Sequence, residues 1–251
     1  MHDWASSGRV KIEWAKEHIR QLDSEAEAFF KADGYRLTLK YDPQTDEFVG
    51  RVEGGPIPPF WAARAADAIH NLRTALDILW RQVMHPTGHA TARKLYFPIF
   101  KSAHELEARA AGIQEGSRKR AMHLLSMIKP YEGGNDALLN LVALDSRNKH
   151  EMLTLVCCVF RSLSFTTPAP TATLQYTFTP DSSFYIVENG TELFRAKTPF
   201  AKMEVQPKLT FEVSFGKGEI AEGEPVVPTL HQYAGLVDGI AQAFLTAGLI
   251  R

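Results

Sequence analysis

Ile12, Ala15, Ile19, Leu22, Ala26 and Phe29 recur at steps of three and four, so one apolar stripe runs down a first helix that Asp33-Gly34 stops. The period then changes to two. Tyr35, Leu37, Leu39 and Tyr41 alternate with Arg36, Thr38 and Lys40, as in a strand with one wet face. Asp42-Pro43 turns the chain, and Glu47 to Glu53 reads as a second strand, which makes a hairpin. Glycines and prolines at 54–59 break the pattern before the longest helix, from about Phe60 to Val83, with Ala65, Ile69, Leu72, Leu76, Leu79 and Val83 on its inner face. His85-Pro86 is its expected stop. Tyr96 to Ile99 reads as a short buried segment. Ser102 with Glu105 three residues on has the form of a capping box. Ser117 to Ile128 is a further helix ended by Pro130, and Asp136 is placed to cap another through Leu144.

Near residue 150 the texture becomes β-branched and aromatic. Thr154 to Phe160, Thr171 to Phe178, Phe184 to Val187, Glu192 to Ala196 and Leu209 to Phe215 read as strands. Asp181-Ser182-Ser183 and Glu188-Asn189-Gly190 suit hairpin turns between them. A helix from about Thr229 to Ala247 closes the chain. Helices and strands grouped in this order predict an α+β fold: a helical N-terminal half with a β-hairpin, a β-rich C-terminal half forming an antiparallel sheet, and a closing helix. Residues 1–251 are expected to form one composite domain, helical over about 1–150 and β-rich over about 151–251, because the last helix needs an apolar surface to rest on.

Composition narrows the function classes. With 28 basic and 29 acidic residues the formal net charge is -1, so contact with RNA or DNA has to use a local patch. No apolar h-region begins the chain and no apolar run approaches the roughly 20 residues of a membrane span, which points to a cytoplasmic protein without membrane contact. The two cysteines, Cys157 and Cys158, are adjacent in an apolar run. Neighbours in a strand face opposite ways, so they read as buried free thiols and not as a bridge.

Dense chemistry lies in two polar segments. In HNLRTALD, positions 70–77, His70, Arg73 and Asp77 fall at i, i+3 and i+7 and project from one helix face at the margin of the core. One reading is an Arg73–Asp77 pair and a hydrogen-bonded histidine holding helices in register; the other is a histidine and an arginine facing a cleft, oriented by Asp77. In DSRNKH, positions 145–150, a helix ends between two apolar runs. Cations complementing the dipole and Asn148 in a left-handed cap account for the composition. The alternative is a loop that sets Asp145, Arg147 and His150 against the first segment. Elsewhere, His85 and His89 flank a loop without the cysteine or carboxylate cluster a metal site needs. Arg118-Lys119-Arg120 with His123 forms a basic patch on a helix, for which a solvated face is the simplest account. No glycine loop for phosphate, no G-x-S-x-G and no H-E-x-x-H is present.

HNLRTALD, then YFPIF, KPY and D-x-R-N-K-H, resembles a family of uncharacterised bacterial proteins with the pattern HNLRSALDHL, FPI, QPY and DKHR. The likeness covers about residues 10–155 and implies no activity. The helical part is also similar to the HEPN group of helical nucleases and nucleotide-binding proteins, marked by arginine, four to six residues, then histidine. Arg147 and His150 have two residues between them and depart from that mark; Arg64 and His70 have five and match it. The resemblance implies a metal-independent, RNA-directed activity without a cofactor. In it His70 or His150 is the general base, Arg73 or Arg147 stabilises the phosphorane, and Asp77 and Asp145 orient them. Its rivals are a non-enzymatic interaction module, with a buried polar network and a protein partner on the β-rich half, and a small-ligand or metal-binding protein. Oligomeric state is left open.

Overall fold

The computed structural model describes residues 4–84, 96–111, 116–160, 176–178, 184–196 and 211–250. The order is α1 (Trp4–Lys31), β1 (Tyr35–Asp42), β2 (Glu47–Gly54), α2 (Phe60–Met84), α3 (Ala103–Ala111), α4 (Gly116–Ile128), α5 (Asp136–Asn148), β3 (Leu155–Phe160), β4 (Tyr176–Phe178), β5 (Phe184–Val187), β6 (Glu192–Ala196), β7 (Phe211–Phe215) and α6 (Val226–Thr246). The fold is α+β. The chain divides into two compact units, one of residues 1–22, 62–153 and 226–251, the other of residues 23–61 and 154–225.

The helical unit takes its core from the stripes read in the sequence. Ile12, Ala15, Ile19 and Leu22 of α1 and Ala65, Ile69, Leu72, Leu76, Leu79 and Val83 of α2 are all buried. The closing helix α6 packs on α4 and α5 through a face that includes Leu230, Val237, Ile240 and Phe244. It starts three residues earlier than expected, since Pro228 falls in the first turn, where a missing N–H costs nothing. Trp80, Phe97 and Phe244 form an aromatic trio with centroids 6.0–6.5 Å apart, joining α2, the segment after residue 95 and α6.

Two helix ends differ in detail from expectation. The α5 N-cap is Asn135, whose Oδ1 accepts the Leu138 N–H at 3.0 Å; Asp136 instead brings its charge into the first turn. Asn148 is not in the left-handed conformation, because α5 runs through it and its C-cap Lys149 is right-handed (φ -67°). At α3 the Ser102 Oγ does accept the Glu105 N–H, and Glu105 reaches back to the Lys101 N–H at 2.7 Å. The Asp33 stop of α1 is left-handed (φ 58°).

The second unit holds two antiparallel sheets, ordered β1-β2-β6-β4 and β5-β3-β7. Tyr35, Val52, Leu193 and Phe194 from the first and Cys157 and Val187 from the second share one core cluster. The β1–β2 hairpin, grouped by sequence with the helical half, is half of the first sheet, because the free edge of β2 pairs with β6. Glu188-Asn189-Gly190 is not a hairpin turn. Its flanking strands belong to different sheets, and the Gly190 N–H donates to the Val52 carbonyl at 2.7 Å, so the bend carries the chain from one sheet to the other. The expected turn at 181–183, the α2 stop at His85-Pro86 and His89 lie outside the described residues.

Candidate functional site

Within the helical unit α2 and α5 bring the two polar segments together. The His70 Nδ1 lies 2.8 Å from Asp145 Oδ1, and Lys149 Nζ lies 2.7 Å from Asp145 Oδ2. Asp145 and Lys149 stand one turn apart on α5, so a single carboxylate joins a histidine of one helix to a lysine of its own. Their exposures differ sharply: the Asp145 side chain is 3% exposed and that of His70 is 54%. A buried carboxylate needs both oxygens engaged, and Asp145 has them engaged. A carboxylate only accepts, which assigns the proton to Nδ1 and leaves Nε2 as the acceptor nitrogen. Nε2 has the Thr74 Oγ1 at 3.5 Å, one turn further along α2.

Arg73 and Asp77 form a second, more enclosed pair. Arg73 Nη2 is 3.0 Å from Asp77 Oδ1 and donates to the Phe97 carbonyl at 3.3 Å, while the Phe97 N–H donates to Asp77 Oδ1 at 2.8 Å. The pair thus takes up both backbone polar groups of a residue whose ring belongs to the aromatic trio. Burial pushes the Asp77 carboxyl up, against the pull of Arg73 and the Phe97 N–H; Asp145 adds to the rise and Lys149 opposes it. The two clusters stand on the same stretch of α2, and the His70–Asp145 contact ties that stretch to α5.

Asn71, also in the first segment, is structural. It accepts from Lys11 Nζ of α1 at 2.9 Å and donates to the Asp67 carbonyl at 2.7 Å. Arg147 pairs with Glu151 at 3.2 Å, and the exposed His150 donates its backbone N–H to the Arg147 carbonyl. Arg64 engages Gln21 of α1, whereas His70 engages Asp145 of α5. Six residues of helix set Arg64 and His70 about 120° apart, so the formal arginine–histidine spacing does not put them on one face.

Three participants were not singled out from sequence: Lys149, Thr74 and Phe97. Thr74 was recoverable, since it follows His70 by four residues on the same helix. Lys149 falls at the C-terminus of α5, where complementing the helix dipole is explanation enough for a cation. The tie to Phe97 crosses 20 residues of chain and left no signal in the sequence. No group of three or more metal-ligating side chains occurs among the described residues, and none of their helices is long and apolar enough to cross a membrane. Compared with known proteins, the chain matches no family model, no curated protein and no solved structure.

Proposed function

We propose that the protein is a metal-independent ribonuclease in which His70 is the general base. The observation that carries this reading is a half-exposed imidazole held at Nδ1 by a buried carboxylate. Such an arrangement presents a lone pair at Nε2 to an incoming hydroxyl. Nε2 takes the proton of a ribose 2′-hydroxyl; the 2′-oxygen bonds to the adjacent phosphorus; the bond to the 5′-oxygen breaks, and that oxygen takes a proton from water. The Lys149 ammonium, also half-exposed, supplies positive charge beside the imidazole. Asp145 orients His70 and does not touch substrate. Arg73 and Asp77 are engaged in holding Phe97, which suits a supporting role.

The test is cleavage of mixed single-stranded and structured RNA by the purified protein in chelator. His70→Ala loses ~10²–10⁴-fold in rate under conditions where its denaturant melt shows it still folded, and His150→Ala loses less. Intact RNA with the unsubstituted protein overturns the reading. A second reading rests on the Arg73–Asp77–Phe97 ties: the polar segments are architecture for a non-enzymatic interaction module. It takes the lead if both alanine variants only lower stability.

A further inference from the structure

The helix α4 carries Arg118, Lys119 and Arg120 in its first turns, then His123, and Lys129 follows its end; all five are exposed. From 116 to 131 the sequence contains no aspartate or glutamate. Several cations elsewhere sit against carboxylates, as Lys31 does with Glu27, Arg36 and Lys40 with Glu53, and Lys16 with Asp238. Among the described residues no such partner meets the side chains of Arg118, Lys119 or Arg120. In a chain of net charge -1, this is a local excess of positive charge, bounded in sequence by Glu115 and Glu132.

We infer that the outer face of α4 binds the phosphate backbone of single-stranded RNA. Lys119, Arg120, His123 and Met127 share that face, at i, i+1, i+4 and i+8, and the exposed Arg118 flanks Lys119 in the first turn. Guanidinium forks bind phosphate oxygens in pairs, a lysine adds a point charge, and an exposed imidazole one turn on offers a plane for a base to stack against. A membrane surface fits less well. An interfacial helix inserts an apolar face, and the apolar side of α4 (Ala121, Met122, Leu124, Leu125) is buried in the protein, leaving Met127 as its one exposed large apolar side chain. The inference rests on the RNA reading for its choice of polyanion and assigns that substrate a docking surface in the same helical unit as His70.

The experiment is fluorescence anisotropy of a labelled single-stranded RNA, in chelator, over a salt series. It compares the parent protein with Arg118→Ala/Lys119→Ala/Arg120→Ala, and with Lys31→Ala/Arg36→Ala/Lys40→Ala as a control of equal charge change. The α4 variant is expected to lose about tenfold or more in affinity at ~100 mM salt, with a slope of log K on log salt shallower by about 2, since each lost phosphate contact removes about 0.7. The control variant binds as the parent does. All three proteins are melted alongside; these side chains are exposed, so unchanged midpoints are expected. RNA binding that needs α4 but is followed by no cleavage sinks the nuclease reading and leaves this one standing. Parent-like binding by the α4 variant, or no RNA binding by the parent, overturns it. So does binding of the parent to anionic lipid vesicles in preference to RNA.

Discussion

At the residue scale, a histidine acquires a definite tautomer from a neighbour 75 positions away. Asp145 accepts from the His70 Nδ1–H, and this decides which nitrogen faces outward. Asp145→Asn keeps the shape but offers an amide that can donate to Nδ1, moving the ring proton to Nε2. Nitrogen-15 NMR of the imidazole should therefore show Nδ1–H in the parent and Nε2–H in the variant, with cleavage reduced by ~10²–10⁴-fold. An unchanged tautomer would mean that Asp145 does not hold the ring. Asp77 yields a prediction with a defined sign. Its folded carboxyl is raised above the ordinary value by burial, so the folded protein takes up its proton more readily than the unfolded chain. The stability it adds is fully present below the unfolded value near ~4 and is lost as the pH rises through the folded one. Denaturant melts should show the parent losing ground to Asp77→Asn across that window. Asp77→Ala leaves Arg73 and the Phe97 N–H without their partner and should cost ~3–5 kcal/mol at neutral pH.

At the scale of elements, caps and strand partners set the boundaries. Asn135→Ala removes the side-chain acceptor of the Leu138 N–H and should lower stability by ~1 kcal/mol, whereas Asp136→Ala should cost only ~0.3–1 kcal/mol through the helix dipole. Thermal melts of the two variants decide which residue is the cap. In the first sheet Gly50 faces Phe194 of β6, and a Cβ there would run into the Phe194 ring. The pairing register also shifts between Gly50 and Arg51. Gly50→Val should open the β2–β6 edge and destabilise the protein by ~1–3 kcal/mol, as overpacking does. A melt within 0.5 kcal/mol of the parent would show that the ring moves aside freely.

At the scale of the whole molecule, the two cysteines measure how well the second unit is closed. Both are free and buried, and burial pushes each thiol above its usual range. Ellman titration of the native protein should be slow, and denaturant should release two fast-reacting thiols. Rapid reaction of either thiol without denaturant would contradict a closed two-sheet core.

The sequence by itself determined what depends on neighbours a few residues apart. The α1 and α2 stripes, the β1–β2 hairpin, the strand segments Phe184–Val187 and Glu192–Ala196 and the Ser102–Glu105 cap were legible because helix and strand periods and capping bonds are local. So was the polar character of both segments. Strand partnership was not, since the turn chemistry of Glu188-Asn189-Gly190 is compatible with either a hairpin or a crossing between sheets; the free edge of β2 decided it. Nor could spacing tell which residues of the site remain open. His70 and Arg73 lie one turn apart on the same helix, yet α5 leaves the first half in solvent while Phe97 covers the second. Burial is a property of what packs against a residue, and at His70 and Arg73 the packing comes from elsewhere in the chain.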